Sequence, residues 1–270
     1  MKTRSATKLW AGYLLVALAL LASCKSEKSP DPPASNATIS IKMGDNPAAY
    51  DAVNVEILSV TANINGTWHT FPVATPGVYN LLQFTNGNTL LLLGPTLVAA
   101  ETMTELRLIL GNNNSIVVDG VVAELKTPSA QTSGYKVKMA SQPLSPGVIY
   151  SLVLDFDVNK SVHPTGNGKY ILKPVIRGYL ETAIGKLSGN ITPVNGAYYV
   201  MASNATDTAG TYINPDNGSF LITTLIPGIY NVHFYANPNY YDKYISPVEI
   251  YAGQTTGLGS VVIDPMGLSK

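Results

Sequence analysis

The chain has 270 residues, 17 basic and 17 acidic side chains, three histidines and one cysteine. Charged residues make up only 13% of it and apolar ones 46%, enough to bury a core in one or two domains. Charge this sparse and balanced lacks the clustered Lys and Arg of a nucleic-acid binder, and a lone cysteine excludes a disulfide within the chain.

From the N-terminus, Lys2, Arg4 and Lys8 precede an uncharged run from Leu9 to Ala22. A basic stretch followed by a short apolar one is the pattern of a secretory signal, here residues 1–23, and the run falls short of the roughly 20 residues of a bilayer span. Leu21-Ala22-Ser23-Cys24 resembles the lipobox of bacterial lipoproteins. The resemblance implies cleavage before Cys24, a diacylglyceryl group on its thiol and an acylated new terminus. Three acyl chains hold a protein to a membrane far more firmly than one. The expected location is the outer membrane of a Gram-negative envelope, with periplasmic or external orientation left open.

The leader takes three of the 17 basic residues and no acid, so 14 basic and 17 acidic residues remain, a net charge of −3. Residues 24–36, CKSEKSPDPPASN, are polar and proline-rich and read as a disordered tether. Glu27 and Asp31 in it are offset by Lys25 and Lys28, so any acidic signal for surface export is weak.

Strand signals begin at Ala37, with Ile39 and Ile41 on one face of ATISIKM. Residues 53–64 alternate as well, and Asn65-Gly66 predicts a tight hairpin into TWHTF. Leu81 to Phe84 suits one helical turn, and further strands are expected at 103–110, 115–118, 121–125, 135–139, 148–156 and 170–181. Asp119-Gly120 and Asn167-Gly168 are turn signals. No stretch sustains a 3.6-residue period, so the expectation is all-β, with one sandwich over 37–182 and a second over 183–270, joined by the short TAIGK link.

In the second unit Gly189-Asn190-Ile191, Asn217-Gly218-Ser219-Phe220, Leu225 to Val232 and Ala252 to Thr256 occur in order. This series resembles the carboxypeptidase regulatory-like domains, which implies a seven-stranded, transthyretin-like sandwich with Tyr230 and Val232 facing inward. Such domains serve as spacers, chaperoning modules or glycan binders, so the resemblance fixes fold rather than function. In the first unit Leu106-Arg107-Leu108, Val118-Asp119-Gly120, Leu125 to Ser129, Ser133 to Val137, Leu154 to Val158 and Gly166 to Ile176 stand out. They resemble an uncharacterised domain-of-unknown-function family of bacterial cell-envelope lipoproteins. That family's usual Gly-x-Tyr is replaced here by Ala100-Glu101-Thr102-Met103, so the start of the following strand is expected to differ.

Asp155 and Asp157 lie two apart on a strand and so share a face. Paired carboxylates serve acid–base hydrolysis or hold a hard cation. As a calcium loop, however, the segment puts Lys160 where Gly is needed and Gly166 where Glu is needed. The plainer role is to cap turn amides or pair with Lys or Arg. His69, His163 and His233 have no metal-ligand spacing, no serine-hydrolase or zinc-protease motif occurs, and no cofactor is implied. Arg107, mid-strand among leucines, reads as an ion-pair partner.

Nine of the 16 tyrosines follow residue 186, and NPNYYDKY places Tyr240, Tyr241 and Tyr244 in one expected loop. Exposed aromatic faces suit sugar rings, while the alternative packs such a tyrosine over the end of the sandwich. The function expected is non-catalytic, binding a glycan or another envelope protein. Two alternatives stay open: a metal-dependent hydrolase built on Asp155 and Asp157, and a purely structural subunit of a surface assembly.

Overall fold

The computed structural model describes residues 35–45, 48–128 and 133–267. The expected signal peptide, Cys24, the expected tether through Ala34, and Ser129 lie outside the described residues. Ser35–Lys270 forms one compact, all-β unit with two separate apolar cores, one inside each of two sandwiches.

The first sandwich opens with β1 (Asn36–Asp45), β2 (Ala52–Ile64), β3 (Thr67–Asn80), β4 (Leu90–Ala99) and β5 (Thr102–Leu110). It continues through β6 (Ser115–Val118), β7 (Val121–Lys126), β8 (Tyr135–Lys136), β9 (Gln142–Pro143), β10 (Ile149–Phe156), the single helical turn α1 (Val158–Ser161), β11 (Val162–Gly166), β12 (Lys169–Leu172) and β13 (Ile176–Leu180). One sheet runs β13-β10-β1-β4, with β1 and β10 parallel; the other has nine strands built around β2. Alternation decides which face goes inward: Ile39, Ile41 and Met43 of β1 are fully buried. In β2 the buried set changes phase, Val53, Val55 and Ile57 being followed by Val60, Ala62 and Ile64. A bulge between Ile57 and Ser59 absorbs the extra residue and keeps both halves facing the core.

The three predicted turns form. Asn65-Gly66, Asp119-Gly120 and Asn167-Gly168 all have positive φ at both residues, the requirement of a two-residue hairpin loop that Asn, Asp and Gly meet at least cost. Leu81–Gln83 is a 3-10 turn capped by Asn80.

Elsewhere the strands differ from expectation. β4, LLLLGPTLVA, was not predicted; it is an edge strand with register irregularities, a position where Pro95 and its missing donor are tolerated. The expected 170–181 strand is two strands in different sheets, β12 and β13, with Lys173 to Val175 between them. Pro174 lacks the N–H a continuous ladder needs. The expected 135–139 strand is only two residues long, because Tyr135–Lys136 pairs with β5 while Lys138 bridges to Arg177 in the other sheet.

The second sandwich comprises β14 (Gly185–Thr192), β15 (Ala197–Ser203), β16 (Thr208–Tyr212), β17 (Ser219–Leu225), β18 (Gly228–Ala236), β19 (Lys243–Ile250) and β20 (Thr255–Val262). These pair as β17-β14-β20 and β16-β15-β18-β19. Phe220 and Phe234 meet edge-on across the core at 5.4 Å, and burial of each stabilises the fold by about 1.5–3 kcal/mol. Gly218 is needed at its turn: its φ is +74°, and a Cβ there would lie 2.8 Å from the Ile191 carbonyl oxygen. Tyr230 and Val232 point inward as expected, which leaves His233 and Tyr235 on the opposite face.

Candidate functional site

The two carboxylates singled out from sequence sit where the sandwiches meet. Asp155, near the end of β10, is 2% exposed and accepts two bonds from Arg177 of β13, from Nε at 3.0 Å and Nη2 at 2.6 Å. Arg177 reaches on to Asp207 of the second sandwich, Nη1 to Oδ1 at 3.0 Å. Asp207 also accepts from the Tyr230 hydroxyl at 2.7 Å and the Ile226 N–H at 3.1 Å. One guanidinium thus ties two buried carboxylates from the two sandwiches. Burial pushes the Asp155 carboxyl above its ordinary range, and Arg177, shared with Asp207, offsets this only in part. At Asp207 burial acts in the same direction, but the Tyr230 and Ile226 donors and Arg177 outweigh it and hold the carboxyl below the usual range.

Asp157 lies just past β10 and caps α1, accepting from the Lys160 N–H at 3.0 Å and from Lys160 Nζ at 2.5 Å. The two carboxylates therefore sit in different local structures rather than side by side along one strand. Among the described residues, no group of three or more His, Cys, Asp and Glu gathers that would hold a metal ion.

The structure separates the three tyrosines expected in one loop. Tyr240 packs against the second core, its hydroxyl 3.2 Å from Asn195 Oδ1. Tyr241 is 56% exposed beyond the end of β18. Tyr244 is not in the loop but on edge strand β19, 66% exposed, with one ring face stacked on His233 at 4.2 Å.

That stack starts a row sequence reasoning missed. His233 lies 3.8 Å from Tyr235, Tyr235 5.6 Å from Tyr199, and Tyr199 5.4 Å from Tyr212. Tyr198, 48% exposed, flanks Tyr235 at 6.5 Å. The rings lie on the outward face of all four strands because strand register brings them together: Tyr212 opposite Tyr199, Tyr199 opposite Tyr235, and His233 opposite Tyr244. At usual strand spacings the row spans roughly 14 Å. Asp242 holds it from the side, Oδ2 2.7 Å from His233 Nε2 and Oδ1 accepting from the Ala236 N–H at 2.9 Å. Those two donors keep the Asp242 carboxyl below its ordinary range.

Burial, then neighbouring Tyr212, Tyr235 and Asp157, pushes the Tyr199 phenol up to about 12, and burial raises Tyr212 and Tyr235 too. Tyr199, Tyr212 and Tyr235 therefore stay neutral at ordinary pH and offer hydroxyls that both donate and accept. At the β16 end it runs into a cleft of about 110 Å³ between Asp157, Asn159 and Lys160 on one side and Tyr199, Thr208 and Gly210 on the other. Apolar ring surface beside a polar cleft suits a ligand that is itself apolar on its faces and polar on its rim. The sequence signal for the row was His233-x-Tyr235, two residues that alternation puts on one face; the cross-strand partners needed the register.

Arg107 pairs with Glu105 at 2.5 Å and lies over the Trp68 ring at 4.4 Å, on the outer face of the first sandwich. His69 stacks near Phe71 at 6.4 Å, and His163 lies on β11 away from the row.

The family profile described as Domain of unknown function (DUF4382) matches residues 36–174. No curated protein matches the chain. Among solved structures, a type II cohesin–X-dockerin complex from Acetivibrio cellulolyticus is 19% identical over 31% of this chain and 61% of its own, at TM-score 0.24. A leucine-rich repeat protein from Bacteroides thetaiotaomicron is 11% identical over 87% and 27%, at TM-score 0.24. GBS52, the minor pilin of Streptococcus agalactiae, is 9% identical over 86% and 98%, at TM-score 0.25. The chain spans less than two thirds of the first two, and TM-scores of this size carry no functional comparison.

Proposed function

We propose, for a chain that belongs to the family Domain of unknown function (DUF4382), a non-catalytic binding role at a bacterial cell envelope. Lipid on Cys24 holds the protein to the membrane, and the outward aromatic face of β15, β16, β18 and β19 takes a carbohydrate polymer. The observation that carries this reading is the row Tyr244–His233–Tyr235–Tyr199–Tyr212, whose ends are exposed while its middle is braced. A sugar ring presents apolar C–H faces and a rim of hydroxyls. Tyr244, Tyr198 and Tyr212, at 66%, 48% and 41% exposure, offer ring surface to the former and phenolic oxygens to the latter. The cleft at Asp157 and Lys160 supplies polar partners where the row ends. Leu21-Ala22-Ser23-Cys24 supports the anchor.

Residues 24–270 screened on a broad glycan array test this reading. A hit weakened by Tyr244→Ala, and by Tyr198→Ala and Tyr212→Ala, is expected. No hit, or a hit indifferent to Tyr244→Ala, overturns it. Incorporation of labelled palmitate that Cys24→Ser abolishes is the expected result for the anchor.

The engagement of Asp155 by Arg177 and of Asp157 by the α1 cap gives no support to the hydrolase alternative. A scaffold role is the second reading, favoured by the Arg177 tie that holds two sandwiches as one body. Capture of one specific envelope protein by the lipidated chain, with an empty glycan array, is the result it predicts.

A further inference from the structure

Where the described chain begins, the first sandwich exposes large apolar side chains. Thr38, three residues after Ser35, pairs in register with Leu97 of β4 on one side and Ile149 of β10 on the other. Residues directly opposite one another share a face, so Leu97 and Ile149 flank Thr38 on the outside of the sheet. They are 69% and 70% exposed, and Val148 beside them is 41% exposed. The surrounding segments, 94–101 and 144–151, contain a single charged residue, Glu101. The chain enters through this patch: Ser35 accepts from the Ala100 N–H, Asn36 accepts from the Gly147 N–H, and the Thr38 N–H donates to Val148.

We propose that this patch is a lipid-facing surface that rests in the headgroup region of the bilayer to which Cys24 is anchored. The inference rests on the Cys24 anchor of the function proposed above and goes beyond it by assigning membrane contact to the folded domain. Tether length argues for lipid rather than another occupant. Residues 25–35 separate Cys24 from Asn36, and a stretch of that length reaches at most about 40 Å. The bilayer is therefore within reach of Leu97 and Ile149 whatever else is present. Amphipathic surfaces bury their apolar side chains about 5–10 Å into the headgroup boundary and leave charged groups at the polar edge, the place that Glu181 and Lys186, which line a cavity with Val148 and Ile149 and pair with each other, would take. Acyl chains and patch then act together, the second contact being intramolecular once the first is made.

Cys24 is the only cysteine, so residues 24–270 can be coupled through its thiol to maleimide-headgroup lipid in phosphatidylcholine vesicles carrying brominated acyl chains. In a Trp68→Phe background, Ile149→Trp places one reporter indole in the patch. Val122→Trp places another at a position of similar exposure, 69%, on the β6–β7 hairpin, whose Gly120 bonds to Asp51 at the end of the sandwich where β1 finishes. On coupled vesicles the Ile149→Trp emission should shift to the blue and be quenched by bromine, and the Val122→Trp emission should do neither. Equal quenching of both, or of neither, overturns the proposal. So does a blue shift of Ile149→Trp in free protein accompanied by dimers in sedimentation, which assigns the patch to a second copy. Because the coupling is chemical, failure of palmitate to label Cys24 in cells would overturn the anchor alone, and unquenched Ile149→Trp on coupled vesicles would overturn the surface alone.

Discussion

Replacing Arg177 by Met keeps most of the aliphatic volume between the sandwiches but removes the cation that Asp155 and Asp207 share. Those residues are 2% and 4% exposed and receive three of the guanidinium's bonds at 2.6 to 3.0 Å. Removing one partner of a buried ion pair costs about 3–5 kcal/mol, because the remaining charge stays out of water. Arg177 is itself 21% exposed and Asp207 keeps its Tyr230 and Ile226 donors, so the lower end applies, about 3 kcal/mol. For a chain of this size 1 kcal/mol moves Tm by roughly 2–4 °C, which predicts a fall of about 6–12 °C for Arg177→Met at neutral pH. Scanning calorimetry of residues 24–270 reads it directly. Adding Asp155→Asn to Arg177→Met neutralises a buried carboxylate that has lost this cation and should recover part of the loss, whereas Asp155→Asn alone should destabilise. An Arg177→Met protein that melts with the wild type, or one that Asp155→Asn weakens further, would refute the shared-cation account.

Three further outcomes follow from the geometry. Asp157→Ala removes the α1 cap and should cost about 1 kcal/mol, while Asp157→Asn, which caps equally well, should cost little; denaturant titration separates them. Gly210→Ala places a methyl against the Tyr199 hydroxyl and 2.8 Å from the Val200 carbonyl oxygen, so it should displace that ring, change the near-ultraviolet circular dichroism and cost about 1–3 kcal/mol. Asp207 is held below its unfolded value of about 3.9, so the stability it adds is complete above that pH and is lost as pH falls through the lower folded value. Asp207→Asn should therefore flatten the acid limb of a Tm–pH profile below about pH 4 and leave its shape above pH 5 unchanged.

Local chemistry made part of this molecule readable in advance. Asn65-Gly66, Asp119-Gly120 and Asn167-Gly168 announced their turns because few other pairs tolerate positive φ twice in succession. Tyr230 and Val232 announced their inward face through alternation alone. What stayed hidden depends on partners distant in sequence. Arg177 looked like any strand-borne arginine; its importance comes from Asp207, 30 residues on and in the other sandwich. Tyr244 was expected in a loop with Tyr240 and Tyr241, yet the register of β18 with β19 sets it on His233 and sends Tyr240 to the core. β4 escaped notice because LLLLGPTLVA does not alternate, and Gly-Pro argues against a central strand; at an edge neither objection holds.

The carbohydrate reading stands or falls on Tyr244. Once an array names a polysaccharide, calorimetric titration of that ligand into wild type, Tyr244→Ala and Tyr241→Ala compares a tyrosine in the row with an exposed one outside it. The account predicts that Tyr244→Ala binds about tenfold more weakly, roughly 1.4 kcal/mol, with Tyr241→Ala unchanged. Wild-type affinity in Tyr244→Ala, or a loss confined to Tyr241→Ala, would contradict it.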